Sequence, residues 1–354
     1  MSRDIGIDLG TANVLIHLKG RGIVVNEPSV VAIDSHTQEI IAAGKNAYDM
    51  IGRTSQSIEI VKPLKGGVIA DFEVAEAMLT LFLEKIYLKR WFSKPNVLLC
   101  CPSNISDIET TSLIEAAERA TGGNIYLEEE AKVAAIGSGI DIFSPHANML
   151  IDIGGGTTDI AVVAGGKIIR SESLRIAGDD FDEAIIQYVK EKFNLLIGER
   201  TAEDVKKLLA TALPLAESEL KMFDLKGRDL LTGLPKSINV HANHICEAMQ
   251  PQIQMIARAA KRLLEETTPE MLSDIIDQGI VLTGGGALIS QIDTFLMEHL
   301  KVSVIKSDHA MGCVAIGTGL MLESILNGKI ERVNLTKIQR LKRWLKSLKK
   351  RLIG

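Results

Sequence analysis

"LIDIGGGTTDIAVV", residues 150–163, decides how this chain is read. An apolar run carries Asp152 two residues before Gly154, Gly155 and Gly156. Two threonines, an aspartate and a second apolar run follow. A P-loop needs Lys and Ser or Thr directly after its glycines, and a dinucleotide fingerprint needs G-x-G-x-x-G opening a helix. Here the glycines lead back into another strand-like run, so the stretch reads as a β-hairpin. Backbone N–H groups in such a turn can approach phosphate oxygens with no side chain in the way. On its own, such a stretch is usually just a turn.

The pattern occurs twice. "DIGIDLGTANVLIH" (residues 4–17) and "MLIDIGGGTTDIAVV" (149–163) are both strand, Asp-x-Gly turn, Thr, strand. A third glycine turn, "GIVLTGGGALI" (279–289), again follows an apolar strand directly. Two related halves, each supplying one hairpin, predict a cleft in which a phosphate chain is clamped between lobes. Thr11 and Thr157 can add hydroxyl donors. Asp8 and Asp152 can hold the waters around a magnesium ion, which favours carboxylates and keeps part of its hydration shell. Phosphoryl transfer needs mainly positioning and charge neutralisation, so this inventory lacks only a group that orients the attacking water.

The surrounding chain supports an α/β fold in which strands and helices alternate. "DIGIDLG" and "VLIHLKG" read as strands joined at Gly10–Asn13, and "GIVVNEPSVVAID" as a continuation of the sheet. From Asp71 to Arg90 the apolar residues Phe72, Ala75, Met78, Leu79, Phe82 and Ile86 mark one helix face. "NVLLCCP" reads as a buried strand. Ser106 and Glu109 form a capping-box signal, which Thr201 and Asp204 repeat before "AEDVKKLLATA". Pro251 is expected to kink or start the helix of "CEAMQPQIQMIARAAKRLL".

Composition excludes several classes. The 354 residues are 46% hydrophobic and 4% aromatic with 30 glycines, which describes a globular protein large enough for two domains. Cys100, Cys101, Cys246 and Cys313 form no C-x-x-C pair and are expected to be buried, reduced thiols, which suggests the cytosol. No signal segment opens the chain, and no stretch approaches the roughly 18 apolar residues of a membrane span. The net charge of −5 hides an asymmetry: residues 333–354 hold eight basic side chains and no acid. The rest of the chain therefore carries 32 Lys plus Arg against 45 Asp plus Glu, a net of −13.

With these residues in view, the chain resembles the actin-like ATPase superfamily, and within it the MreB bacterial actins with their Mbl paralogues. The carrying segments are "DIGIDLGTANVLIHLKGRGIVVNEPSVVAID", "MIGRT", "GVIADFE", "LLIGERTAE", "GRDLLTGLPK", "GIVLTGGGALI" and "CVAIGTG"; "LEEEAKVAAIG" and "LLCCPSNI" are similar to Mbl in particular. The resemblance spans about residues 3–326. It implies an actin-like ATPase fold in four subdomains: IA (1–32, 67–146 and 313–330), IB (33–66), IIA (147–180 and 243–312) and IIB (181–242), with a basic amphipathic tail at 333–354. It implies that Asp8, Gly10, Thr11, Ala12, Asn13, Gly154, Gly155, Gly156 and Thr157 hold the phosphates of ATP or ADP. Gly178, Glu203 and Lys206 would lie near the ribose and adenine, with Gly284, Gly285 and Gly286 closing over them. Asp8 and Asp152 are implied to hold Mg2+ through water. Glu130 matches the family's water-orienting glutamate, Thr157 would assist it, and Asp71 lies at a position associated with the same site. Where the family usually has proline after that glutamate this chain has Ala131, and proline fixes a first helical turn. Glu128, Glu129 and Glu130 can alternatively be read as acids complementing a helix N-terminus.

Two segments suggest a membrane surface. In "LTKIQRLKRWLKSLKKRLIG", Ile338, Leu341, Leu345, Leu348 and Leu352 alternate three and four apart, with Trp344 beside them and a cationic opposite face. That pattern fits an interfacial helix on anionic lipid. Docking on the acidic body or on nucleic acid are the other readings, and like-charged flanks disfavour a coiled coil. Trp91 and Phe92, flanked by Lys89, Arg90 and Lys94, match a family loop that inserts into membranes; packing in the core is the alternative. Together these features predict an ATPase that self-assembles into paired protofilaments on the inner face of the cell membrane and directs cell shape or cell-wall synthesis. Its other expected partners are cell-wall elongation proteins and MreB paralogues, without nucleic acid. A small-molecule kinase on the same fold would need a substrate pocket and base for which no motif is present. A chaperone would need a substrate-binding domain.

Overall fold

A computed structural model describes residues 4–86 and 94–328. The chain divides into two units, one formed within Met1–Met50, Ser55–Gly139 and Gly312–Gly354, the other within Ile51–Thr54 and Ile140–Met311. Strands β1 (Ile5–Leu9), β2 (Asn13–Leu18), β3 (Gly22–Pro28), β4 (Val31–Asp34) and β5 (Ile40–Ala43) open the first unit. Helix α1 (Lys45–Tyr48) and strands β6 (Ile58–Val61), β7 (Leu64–Lys65) and β8 (Val68–Ile69) follow. Helix α2 (Phe72–Lys85), β9 (Asn96–Cys101), α3 (Asp107–Thr121), β10 (Asn124–Glu129) and α4 (Glu130–Gly137) complete its first pass. The second unit begins with β11 (Asn148–Ile153), β12 (Thr158–Ala164), β13 (Lys167–Leu174), α5 (Gly178–Phe193) and β14 (Leu195–Leu196). It continues through α6 (Glu199–Leu209), β15 (Met222–Asp229), β16 (Pro235–His241), α7 (Ala242–Glu265) and α8 (Pro269–Gln278). After β17 (Ile280–Thr283), α9 (Ile292–Leu300) and β18 (Val304–Lys306), helix α10 (Cys313–Leu326) belongs to the first unit again.

The duplication seen in the two hairpins extends to whole sheets. The first unit's five-stranded sheet runs β3-β2-β1-β9-β10 and the second unit's runs β13-β12-β11-β17-β18. In each, three antiparallel strands continue into two parallel ones. Every residue of β1 and of β12 is buried, as are all of β11 except Asn148. Such near-continuous apolar runs are what strands covered on both faces require. Helix α10 packs on β1 in the first unit, and α7 and α8 pack on β12 and β11 in the second. An aspartate in a strand of this kind is therefore a buried charge with few places to go.

Several sequence expectations hold. The turn between β1 and β2 falls at Gly10–Ala12, a helix (α2) follows Asp71, and Ser106 with Glu109 makes the capping box that opens α3. All four cysteines are buried and free. Others are corrected. β4 does not extend the main sheet; it pairs with β5 and β6 in a separate three-stranded sheet, after Pro28 has ended β3. Helix α6 begins at Glu199 with Gly198 as its N-cap, so Thr201 lies inside the helix. A glycine in extended conformation serves as an N-cap without a side chain, which lets the helix start earlier than the Thr–Asp signal. Pro251 does not start a helix: α7 is assigned as one helix from Ala242 to Glu265, with that proline inside it.

In the first unit α4 and α10 cross at glycines. A Cβ on Gly317 would run into the Val133 carbonyl, and one on Gly137 into the Cys313 carbonyl. Backbone stands on both sides, so no rotamer change can relieve the clash. Gly317→Ala is therefore expected to destabilise the protein by about 3 kcal/mol, read as a lower denaturation midpoint. An unchanged midpoint would show that the helices can separate at little cost.

Candidate functional site

The candidate residues fall into two groups, one in each unit. In the first, Asp8 sits next to the end of β1, opposite Leu15, and is 9% exposed. Burial pushes its carboxyl up to about 7, since a charged carboxylate is poorly solvated among apolar strands. The Cys100 thiol lies 4.0 Å from its Oδ1. The turn after Asp8 is tied down from outside. Ser29 donates its hydroxyl to the Gly10 carbonyl at 2.6 Å and its N–H to the Ala12 carbonyl at 2.9 Å. Thr11 Oγ1 accepts from the Gly67 N–H at 2.9 Å, which leaves its own O–H free to donate. A Cβ on Gly10 would stand 2.7 Å from the Asn13 carbonyl, so the turn closes only on glycine.

Two members of this group have local duties. The Asn13 side-chain amide donates to Asn26 at 2.9 Å. Asp71 is exposed and accepts the Val74 N–H at 3.1 Å as the cap of α2. Glu130 is the first residue of α4, partly buried and the acidic residue of its first turn. Its neighbour Glu128, one of the three glutamates in the run, is instead 4% exposed and pairs with Lys132.

In the second unit Asp152 occupies the equivalent place on β11, 3% exposed and opposite Asp159. The hairpin closes with the Gly154 N–H donating to the Thr157 carbonyl at 2.9 Å, and Thr157 is 7% exposed. The third glycine turn packs directly onto this strand end. Gly284 has φ +82°, where side chains are strained, and a Cβ there would strike the Ile153 carbonyl and the Asp152 carboxylate. Gly285–Leu288 then forms a short 3-10 turn. Only a glycine here lets the two turns meet at Asp152.

Two of the ribose and adenine candidates, Gly178 and Lys206, are linked to the Gly154–Gly156 turn. Gly178 and Asp179, at the start of α5, donate their N–H groups to the Gly154 and Gly155 carbonyls at 3.1 and 2.8 Å. Lys206, from α6, donates to the Gly178 carbonyl at 2.7 Å and to Asp182 Oδ2 at 2.8 Å. Its ammonium is thus a strap that binds α6 to α5 and, one step further, to the glycine turn. Glu203 makes an ion pair with Lys207 at 2.6 Å. Asp182 gives no sequence signal as a site residue, because its partner lies on another helix and no spacing rule connects them. Trp91, Phe92, Ile338, Leu341, Trp344, Leu345, Leu348 and Leu352 lie outside the described residues.

Burial raises the Asp182 carboxyl to about 6 although Lys206 pulls it the other way. Desolvation outweighs the ion pair here. The native state therefore binds this proton more tightly than the unfolded chain. The contribution of Asp182 to stability is full below about pH 4 and is lost as the pH rises through about 6. The stability of the wild type relative to Asp182→Asn is expected to fall by about 2 kcal/mol between those limits, measured by chemical denaturation. A difference that does not vary with pH would contradict this.

Comparison with known proteins identifies the family of the chain. Residues 2–329 match the family described as MreB/Mbl protein. The cell shape-determining protein Mbl of Bacillus cereus is 55% identical over 324 residues, which are 92% of this chain and 97% of that protein. The crystal structure of MreB5 of Spiroplasma citri bound to ADP is 38% identical with a TM-score of 0.87, covering 92% of this chain and 97% of the other. The same protein bound to AMPPNP gives a TM-score of 0.88 at 38% identity, covering 93% and 98%. The duplicated five-stranded sheets are those of the actin-like fold, and the chain belongs to the MreB/Mbl family.

Proposed function

We propose that the protein is an ATP-dependent bacterial actin that polymerises into membrane-associated filaments and directs cell shape. The observation that carries this is the pair of equivalent hairpins, each with a buried aspartate beside a glycine turn. The binding of ADP and of AMPPNP, an ATP analogue, by a relative that matches nearly the whole chain supports the same ligand class. The name of the Bacillus relative supports the cellular role.

In this reading Gly10, Thr11, Ala12 and Asn13 with Gly154, Gly155, Gly156 and Thr157 hold the phosphates, chiefly through backbone N–H groups. The Lys206 strap keeps Gly178 in place, and Gly284, Gly285 and Gly286 complete the nucleotide contacts with Glu203. Glu130 and Thr157 orient the attacking water, and Asp71 supports the same region. The residues also fit a magnesium ion. No group of three or more His, Cys, Asp or Glu side chains among the described residues forms a metal cage, and magnesium prefers one or two carboxylates with water and phosphate. Asp8 and Asp152 supply such carboxylates, each buried near the end of its strand beside a glycine turn. When bound, the ion would neutralise phosphate charge.

No helix among the described residues is long and apolar enough to cross a membrane. We assign membrane attachment to the cationic stripe of residues 333–354 and to Trp91 and Phe92, on the inner face of the cell membrane. Self-association into paired protofilaments, cell-wall elongation proteins and MreB paralogues complete the expected partners. Sedimentation tests the reading directly. The full chain should pellet with ATP and magnesium without any acceptor substrate, and should pellet with anionic liposomes far more than a chain lacking residues 333–354. A protein that stays in the supernatant with ATP, or equal liposome pelleting by both chains, would reject the corresponding half.

A further inference from the structure

The start of α4 has an acidic first-turn residue, Glu130, but no side-chain cap. Its N-cap is Glu129, whose side chain makes no capping hydrogen bond. Ala131 stands in the first turn, where proline would have preset the backbone. Glu130 nevertheless occupies the first helical position, where a shift of one residue would turn its carboxylate by about 100° around the helix axis. Something else must set the register.

The candidate is a buried ion pair that spans the joint between β10 and α4. Glu128 is the residue before the cap and Lys132 lies within the first turn of α4. Lys132 Nζ is 3.5 Å from Glu128 Oε2, and the two side chains are 8% and 3% exposed. The other carboxylate oxygen, Oε1, accepts the N–H of Glu129 at 3.2 Å. One carboxylate thus grips both the cap residue's backbone and the helix's first turn. The Glu128 backbone is itself fixed in the sheet, opposite Cys100, and its carbonyl accepts the Cys101 thiol at 3.7 Å. Beyond the first turn, α4 is held against α10 where Gly317 faces the Val133 carbonyl. Glu130 lies between these two anchors.

We propose that Glu128 and Lys132 are positioning residues that hold Glu130 in its hydrolytic orientation. A hydrophobic pair of similar size could fill the same volume and often matches a buried ion pair in stability. It would not reproduce the directional contact through Oε1 that ties the sheet, the cap and the helix together. The charges are therefore present for placement, and stability alone does not require them. The inference rests on the reading of Glu130 as the water-orienting group, and the test separates the two.

Phosphate release at saturating ATP, the ATP concentration for half-saturation, and thermal melting are measured on the full chain with magnesium. The variants are Glu130→Ala, Lys132→Met and the double variant Glu128→Leu with Lys132→Met. Lys132→Met, which strands a buried carboxylate, is expected to lower turnover about tenfold or more, with half-saturation within about twofold of wild type. The double variant is expected to recover the wild-type melting temperature while its turnover stays about tenfold low. Wild-type turnover in either Lys132 variant, with Glu130→Ala slow, would overturn the positioning role alone. A Glu130→Ala protein that releases phosphate at the wild-type rate would remove the reading of Glu130 on which the inference stands.

Discussion

Two carboxylates, Asp8 and Asp152, lie at the ends of strands whose other residues are almost all apolar and covered on both faces. Burial in such a setting disfavours the ionised form, and the Asp8 carboxyl is accordingly raised to about 7. Around each aspartate the backbone turns sharply, and the neighbouring elements serve that turn: Ser29 and Gly67 on the first, Gly178, Asp179 and Gly284 on the second. The repetition of one sheet order in both units gives the same solution to the same problem twice.

From the turns the constraints spread outward through specific contacts. The backbone of α5 grips the second turn, Lys206 grips α5, and Asp182 holds Lys206. Movement of α6 therefore has a direct mechanical connection to the second glycine turn, with few flexible steps in it. In the first unit the corresponding stiffness lies at α4, fixed by Glu128 and Lys132 at one end and by the glycine crossing with α10 at the other. If the proposed ATPase reading holds, short rigid connections of this kind would couple the glycine turns to the body of the molecule.

The hairpins are legible in the sequence because a lone aspartate is costly inside an apolar run. Glycine and threonine directly after it mark a tight turn with hydroxyl donors, and the whole pattern occurs twice. The capping box at Ser106 is legible for a related reason, since both of its bonds are local. Less is readable where a signal is weak or long in range. Gly198 starts α6 through backbone conformation alone, so the more conspicuous Thr201 misleads. Pro28 marks the end of β3, yet nothing local says that β4 joins another sheet. The Lys206–Asp182 contact joins two helices and follows no spacing. Glu128 and Lys132 are four apart, but the joint between strand and helix hides the pairing that their spacing allows. Thr11, Asn13 and Asp71 are candidates that the sequence offers, while their contacts with Gly67, Asn26 and Val74 are not legible in it.

The account depends most on the two aspartates holding a magnesium ion with the nucleotide. Equilibrium binding of a fluorescent ATP analogue, titrated with and without magnesium, measures this directly in the wild type, in Asp8→Asn and in Asp152→Asn. Magnesium is predicted to tighten binding about tenfold or more in the wild type, and each substitution to abolish that gain. Magnesium dependence as strong in both variants as in the wild type would contradict the central claim.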